Sequence, residues 1–121
     1  MWHIEPSTQF KKDLKWYEKK HPRELAAALD NLNRYFEQIK VARHPRAVQA
    51  GYMHYEPHGV VAIDQKGGGK DLQQTRLYTF ADPDTSMLHL ITIGGKKEQS
   101  ADIKFSSDFV KNLPAILKEI P

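Results

Sequence analysis

Leu25, Leu29, Leu32, Phe36 and Ile39 recur at alternating steps of four and three. A helix with 3.6 residues per turn gathers such a set into one stripe, and no strand does. Pro22 stands just ahead of the stripe, suited to the first turn of that helix, where a backbone N–H has no intrahelical partner to lose. Upstream, Phe10, Leu14 and Tyr17 fall at i, i+4 and i+7, and Ser7 is placed to cap the helix that carries them. His21-Pro22 separates the two stripes by so short a turn that the helices read as an antiparallel hairpin. Core packing explains narrow apolar stripes of this kind, and a coiled coil with a partner would give the same pattern.

After His44-Pro45 the chain changes character. The segments "GYMHYEP", "HGVVAIDQ", "LQQTRLYTFA" and "SMLHLITIGG" are rich in Val, Ile, Tyr, Phe and Thr. Glu56-Pro57-His58-Gly59, a triple glycine and Asp82-Pro83-Asp84 punctuate them, so they read as strands joined by tight links. Short links make hairpins, hence a largely antiparallel meander. "WHIEP" is a further short strand, ended by Pro6. The chain closes on a helix with Phe109, Leu113, Leu117 and Ile120 on one face, and Pro114 predicts a break near Leu113. The order β-α-α-β-β-β-β-α predicts a small single α+β domain over residues 1–121. Its N-terminal strand and helical hairpin pack on a mostly antiparallel sheet, a C-terminal helix follows, and the second sheet face is left for function.

At 121 residues and 40% hydrophobic content the chain suits one domain with one core. It has no cysteine, which removes disulfides and thiolate metal sites and makes the cytoplasm the expected location. No apolar run approaches the roughly 18 residues that span a bilayer, and "MWHIEPSTQF" lacks the layout of a signal peptide, so no membrane association is expected. The net charge of +3 is a mild bias toward anionic partners. Lys11, Lys12, Lys15, Lys19, Lys20 and Arg23 crowd the N-terminal third, as a solvated helix face does. Lys66, Lys70, Arg76, Lys96 and Lys97 form a second set that strands could bring together.

Lys66 and Lys70 flank the triple glycine in "QKGGGKD", which superficially resembles a phosphate loop. That loop requires a hydroxyl residue after its lysine and a helix beyond; here Asp71 follows Lys70 and the next segment is strand-like. Two readings remain: a mobile connection between strands, or a flexible hinge that carries both lysines to a polyanion.

The order of elements, with "TRLYTFADPDTSMLHLITIGGKKEQSADI", resembles the RelE/ParE toxin superfamily of type II toxin–antitoxin systems. The shared pattern is an arginine on a central strand, a hairpin, an apolar strand, then glycine, two basic residues and a closing helix. The resemblance implies a metal-independent endoribonuclease, an mRNA interferase that cuts messenger RNA on the ribosome, with no cofactor. A ribose 2′-OH attacks the neighbouring phosphate, and cations lower the barrier by stabilising the extra-charged phosphorane. It implies catalytic roles for Arg76 and Lys97, and RNA contacts for Lys96, Lys66 and Lys70.

Period two places Arg76, Tyr78 and Phe80 on one strand face, and a guanidinium suits a bidentate phosphate contact. A structural ion pair of Arg76 with Asp64 or Asp82 is the competing reading. Ile103 stands where several relatives carry a catalytic tyrosine, so the proton donor and acceptor must be sought elsewhere. Among His54, His58 and His89, His58 is the first candidate, in a turn beside the sheet. Six histidines without cysteine do not predict a metal site, since the single His-x-x-x-His spacing, His54 to His58, spans Pro57 in a strand-and-turn segment and not a helix face. The implied partners are an antitoxin protein, messenger RNA and the ribosome. A ParE-like protein that inhibits DNA gyrase without chemistry is the alternative, because the two activities share one fold.

Overall fold

A computed structural model describes residues 1–118, with side chains as far as Pro114. The elements are β1 (His3–Pro6), α1 (Thr8–Lys20), α2 (Pro22–Val41), β2 (Met53–Tyr55), β3 (Val60–Ile63), β4 (Thr75–Asp82), β5 (Met87–Gly95) and α3 (Gln99–Lys118). The strands make one sheet in the order β1-β5-β4-β3-β2. The meander from β2 to β5 is antiparallel, and β1 joins β5 in parallel. This is the small α+β domain that the sequence predicts.

The junction of β1 and α1 shows how the sheet edge is finished. β1 stops at Pro6, opposite Leu90, so β5 continues beyond it with an unpaired edge. Unpaired edge groups need partners. Ser7 Oγ donates to the Ile91 carbonyl at 2.6 Å and accepts from Phe10 N at 3.0 Å, which caps α1 in the same stroke. One helical turn later Asp13 accepts from Ile93 N at 3.0 Å and from the Thr92 hydroxyl at 2.6 Å. Side chains of α1 thus continue what β1 began, and they bring a carboxylate to the end of β5.

The helical hairpin covers one face of the sheet. Phe10, Tyr17, Leu25, Leu32 and Ile39 pack there with Val61, Ile63, Leu77, Leu90 and Ile93, while Leu29 and Phe36 lie half-buried at its margin. The opposite face is not open, contrary to the expectation above. Val60, Ala62, Tyr78 and Ile91 make it apolar, and Ile103, Phe109 and Val110 of α3 pack over them with Phe80. Burying such surface is worth about 25 cal/mol per Å2, so a helix with a matching stripe closes the face. α3 also runs through Pro114 instead of breaking. A proline removes a single backbone bond from the ladder, and buried Leu113 holds that turn down. The side chain of Leu117, and Ile120 altogether, lie outside the described residues. Among the described residues no helix is long and apolar enough to cross a membrane.

The glycine loop between β3 and β4 is docked, not loose. Buried Asn31 of α2 donates its amide to the carbonyls of Asp64 and Lys66, both at 2.9 Å. Arg23 reaches the Lys70 carbonyl at 3.2 Å, and Glu24 accepts from Gln73 N at 3.1 Å. Gly68 lies so close to α2 that a Cβ there would stand 2.2 Å from that of Ala27. Gly68 therefore serves close approach to a helix, and Gly67 and Gly69 serve its turn at φ 87° and 129°, which corrects the reading of a free hinge.

Candidate nucleic-acid interface

Arg76, Tyr78 and Phe80 share the α3 side of β4, and Leu77 and Ala81 point into the hairpin core. Arg76 pairs with Gly94 across the β4–β5 ladder. Tyr78, two residues on, is fully buried, and its hydroxyl has no hydrogen-bond partner among the described residues. Burial, Asp102 and Glu56 push that hydroxyl's pKa up against the pull of the Arg76 cation, so it keeps its proton. Arg76 itself is half-buried, and its Nε has no hydrogen-bond partner among the described residues. Neither competing carboxylate claims it. Asp64 is bound to His54 Nε2 at 2.7 Å and to Lys66 N at 2.7 Å. Asp82 closes its own turn through Asp84 N and the Thr85 hydroxyl. Among the described residues Arg76 forms no ion pair.

The lysine pair lies at the same end of the sheet. Gly95 pairs with Thr75, next to Arg76, and Lys96 and Lys97 follow it, both exposed. They rim a groove of about 760 Å3 whose other walls are Trp16, Tyr17 and His21 of the helical hairpin, Gln73–Thr75 at the start of β4, Gly95 and the carboxylate of Glu98. Neither ammonium has a hydrogen bond or ion pair among the described residues. Lys70 belongs to this end, since its backbone is held by Arg23, two residues from His21. Lys66, just beyond β3, lies at this end too, but its ammonium is turned toward the Gly51 carbonyl, at 3.1 Å, on the β2 side of the sheet.

The histidines are dispersed. His54 is held by Asp64. His89 is buried between Phe80 and Phe109, with ring centroids at 6.3 and 5.9 Å, and burial lowers its pKa, so it sits in the core as a neutral ring. His58 occupies an exposed turn at φ 65° ahead of β3. Val60 pairs with Phe80, four residues from Arg76, and four strand residues span about 13 Å. His58 is thus set at the far end of β4 from Arg76, and the structure does not bring the two together.

A carboxyl does lie near the basic end. Asp102, in the first turn of α3, sits directly over Gly94, where a Cβ would overlap its Oδ2 at 1.7 Å. Together with Asp13, Thr92, Glu98 and the exposed ring of Phe105 it lines a second groove of about 510 Å3, which shares Trp16, Tyr17 and Glu98 with the first. Burial, then Asp13, then Glu98 raise its pKa from 3.8 to about 6. The same carboxylates act on Tyr17: burial, Glu98, Asp102, Asp13 and Glu24 push its phenol up to about 12. Because the folded state holds the Asp102 proton more tightly, its contribution to stability is complete below about pH 4 and is lost as pH rises through about 6. Asp102→Asn keeps the neutral form at every pH. The melting temperature of this variant relative to wild type should therefore rise between pH 4 and pH 7, and urea or thermal melts at the two pH values check it.

Sequence reasoning reached Arg76, Lys96 and Lys97 but missed Asp102, Asp13, Trp16 and His21. One signal was in view: Trp16 lies off the stripe of Phe10, Leu14 and Tyr17, so a large ring was bound to face outward. Compared with family models, with curated proteins and with solved structures, the chain matches none.

Proposed function

We propose that this chain is a RelE-like toxin, an endoribonuclease that cuts messenger RNA on the ribosome. The observation that carries the reading is an arginine on β4 and two lysines just after the end of β5, at one end of the sheet and none of them in an ion pair among the described residues. A 2′-oxygen attacks phosphorus and the P–O5′ bond breaks, leaving a cyclic phosphate and a 5′-hydroxyl. The phosphorane between them carries an additional negative charge, which Arg76 and Lys97 would stabilise, with Lys96 and Lys70 along the flanking phosphates. Asp102 takes the place of His58 as the candidate for proton transfer. It lines a groove beside the lysines, and a pKa of about 6 leaves it able to give or accept a proton near neutrality. A small antitoxin that wraps this basic end and holds the protein inactive is the proposed partner.

Brief expression in a host without the antitoxin, followed by primer extension on cellular messages, tests the reading. Growth arrest with cuts inside codons supports it. Arrest with intact messages and broken chromosomes transfers the protein to gyrase inhibition, and unimpeded growth removes the toxin assignment.

A further inference from the structure

The groove beside Lys96 and Lys97 has one wall made of rings. Trp16 is 51% exposed, unusual for so large an aromatic surface. It is held in place from behind: Tyr17 meets it edge-on with centroids 5.0 Å apart, and His21 leans on both, at 5.4 and 5.6 Å. Buried Tyr17 anchors the cluster in the core, and His21 is fixed at the junction of α1 and α2. The platform is therefore preorganised. The same groove is lined by Gln73, exposed, whose backbone N–H is tied to Glu24 and whose amide forms no hydrogen bond among the described residues, and by Glu98. The lysine pair closes the rim.

We infer that this groove is a subsite for one unpaired nucleobase of a single-stranded RNA, stacked on Trp16 with its flanking phosphates on Lys96 and Lys97. The inference rests on the nucleic-acid reading proposed above and gives it a substrate class. Ring, amide and cation answer the three parts of a nucleotide: a π-face, a hydrogen-bonding edge and a phosphate. A duplex hides the face that Trp16 would stack on, so the site selects single strands. Lys19, Lys20 and Arg23, exposed beside His21, extend the positive surface along the strand's path.

The test is equilibrium binding of the full chain to a short 2′-O-methyl RNA, which cannot be cut, followed by fluorescence anisotropy of a labelled oligonucleotide. Trp16→Leu should weaken binding about 5- to 150-fold, the range that loss of one stacked base gives, while Trp16→Phe retains most of it. Lys96→Gln with Lys97→Gln should reduce the slope of log affinity against log salt by about 0.7 for each lost phosphate contact. Equal binding by Trp16→Leu and wild type overturns the subsite and leaves the toxin reading standing. Equal affinity for a duplex of the same sequence overturns it too. So does a Trp16→Leu defect confined to antitoxin binding, which would make the platform a protein contact. Trp16-dependent binding in a chain whose expression cuts no message supports the subsite and sinks the nuclease.

Discussion

On the nuclease reading proposed above, Arg76→Ala should slow RNA cleavage by about 100-fold or more, the usual result of removing one preorganised charge-stabilising donor, and leave the fold in place. The second half of that expectation comes from the surroundings of Arg76. No carboxylate is paired with it among the described residues, so its removal strands no buried anion. Its Nε is buried without a partner, so the native state already bears an unsatisfied donor that alanine removes. The strand is fixed independently by Leu77, Tyr78 and Thr79, all fully buried, and by ladders on both sides. The melting temperature should shift by no more than about 5 °C. Arg76→Lys keeps the charge but loses the planar fork, and should fall between alanine and wild type. Single-turnover cleavage of a short RNA by both variants, with thermal melts alongside, decides the matter. Full activity in the alanine variant would remove the catalytic role, and its unfolding would return Arg76 to a structural one.

That Arg76 could be placed from sequence at all follows from strand periodicity. Alternation along "TRLYTFA" assigns Arg76, Tyr78 and Phe80 to one face whatever the rest of the chain does, and the fold agrees. The stripe from Leu25 to Ile39 is equally local, and it emerges as the buried side of α2. What failed was long-range. "QKGGGKD" looks unrestrained because its restraints are Asn31, Arg23 and Glu24, some 35 to 49 residues upstream. His58 seemed near the site because turns lie close in sequence, but antiparallel register sends it to the other end of β4. An apolar stripe on α3 was visible, yet nothing local says which sheet face it covers. Asp102 is an ordinary acidic residue near a helix start until that packing buries it against Gly94 and turns Asp13 and Glu98 toward it.

Gly94→Ala is the substitution that exposes this dependence most directly. A Cβ at position 94 would lie 1.7 Å from Asp102 Oδ2, 2.8 Å from its Cγ and 3.4 Å from its Oδ1. All three nearest atoms belong to one carboxylate, so the methyl group and the carboxylate cannot share the space. Either the Asp102 side chain swings into the groove toward Asp13 and Glu98, where like charge opposes it, or the first turn of α3 lifts from β5. Overpacking of this kind costs about 1–3 kcal/mol, which for a chain of this size lowers the melting temperature by about 4–12 °C. Cleavage should fall as well, since Arg76 is the ladder partner of Gly94 and lies under the same helix. The double variant Gly94→Ala with Asp102→Ala removes the three clashing atoms and should recover most of the lost stability. Cleavage should stay low, because the carboxyl proposed to move the proton is gone. The two variants and their combination form a cycle whose coupling energy reads the Gly94–Asp102 contact itself. Additive losses would mean that α3 does not seat Asp102 on β5, and the proton-transfer role given to that residue would fall with it.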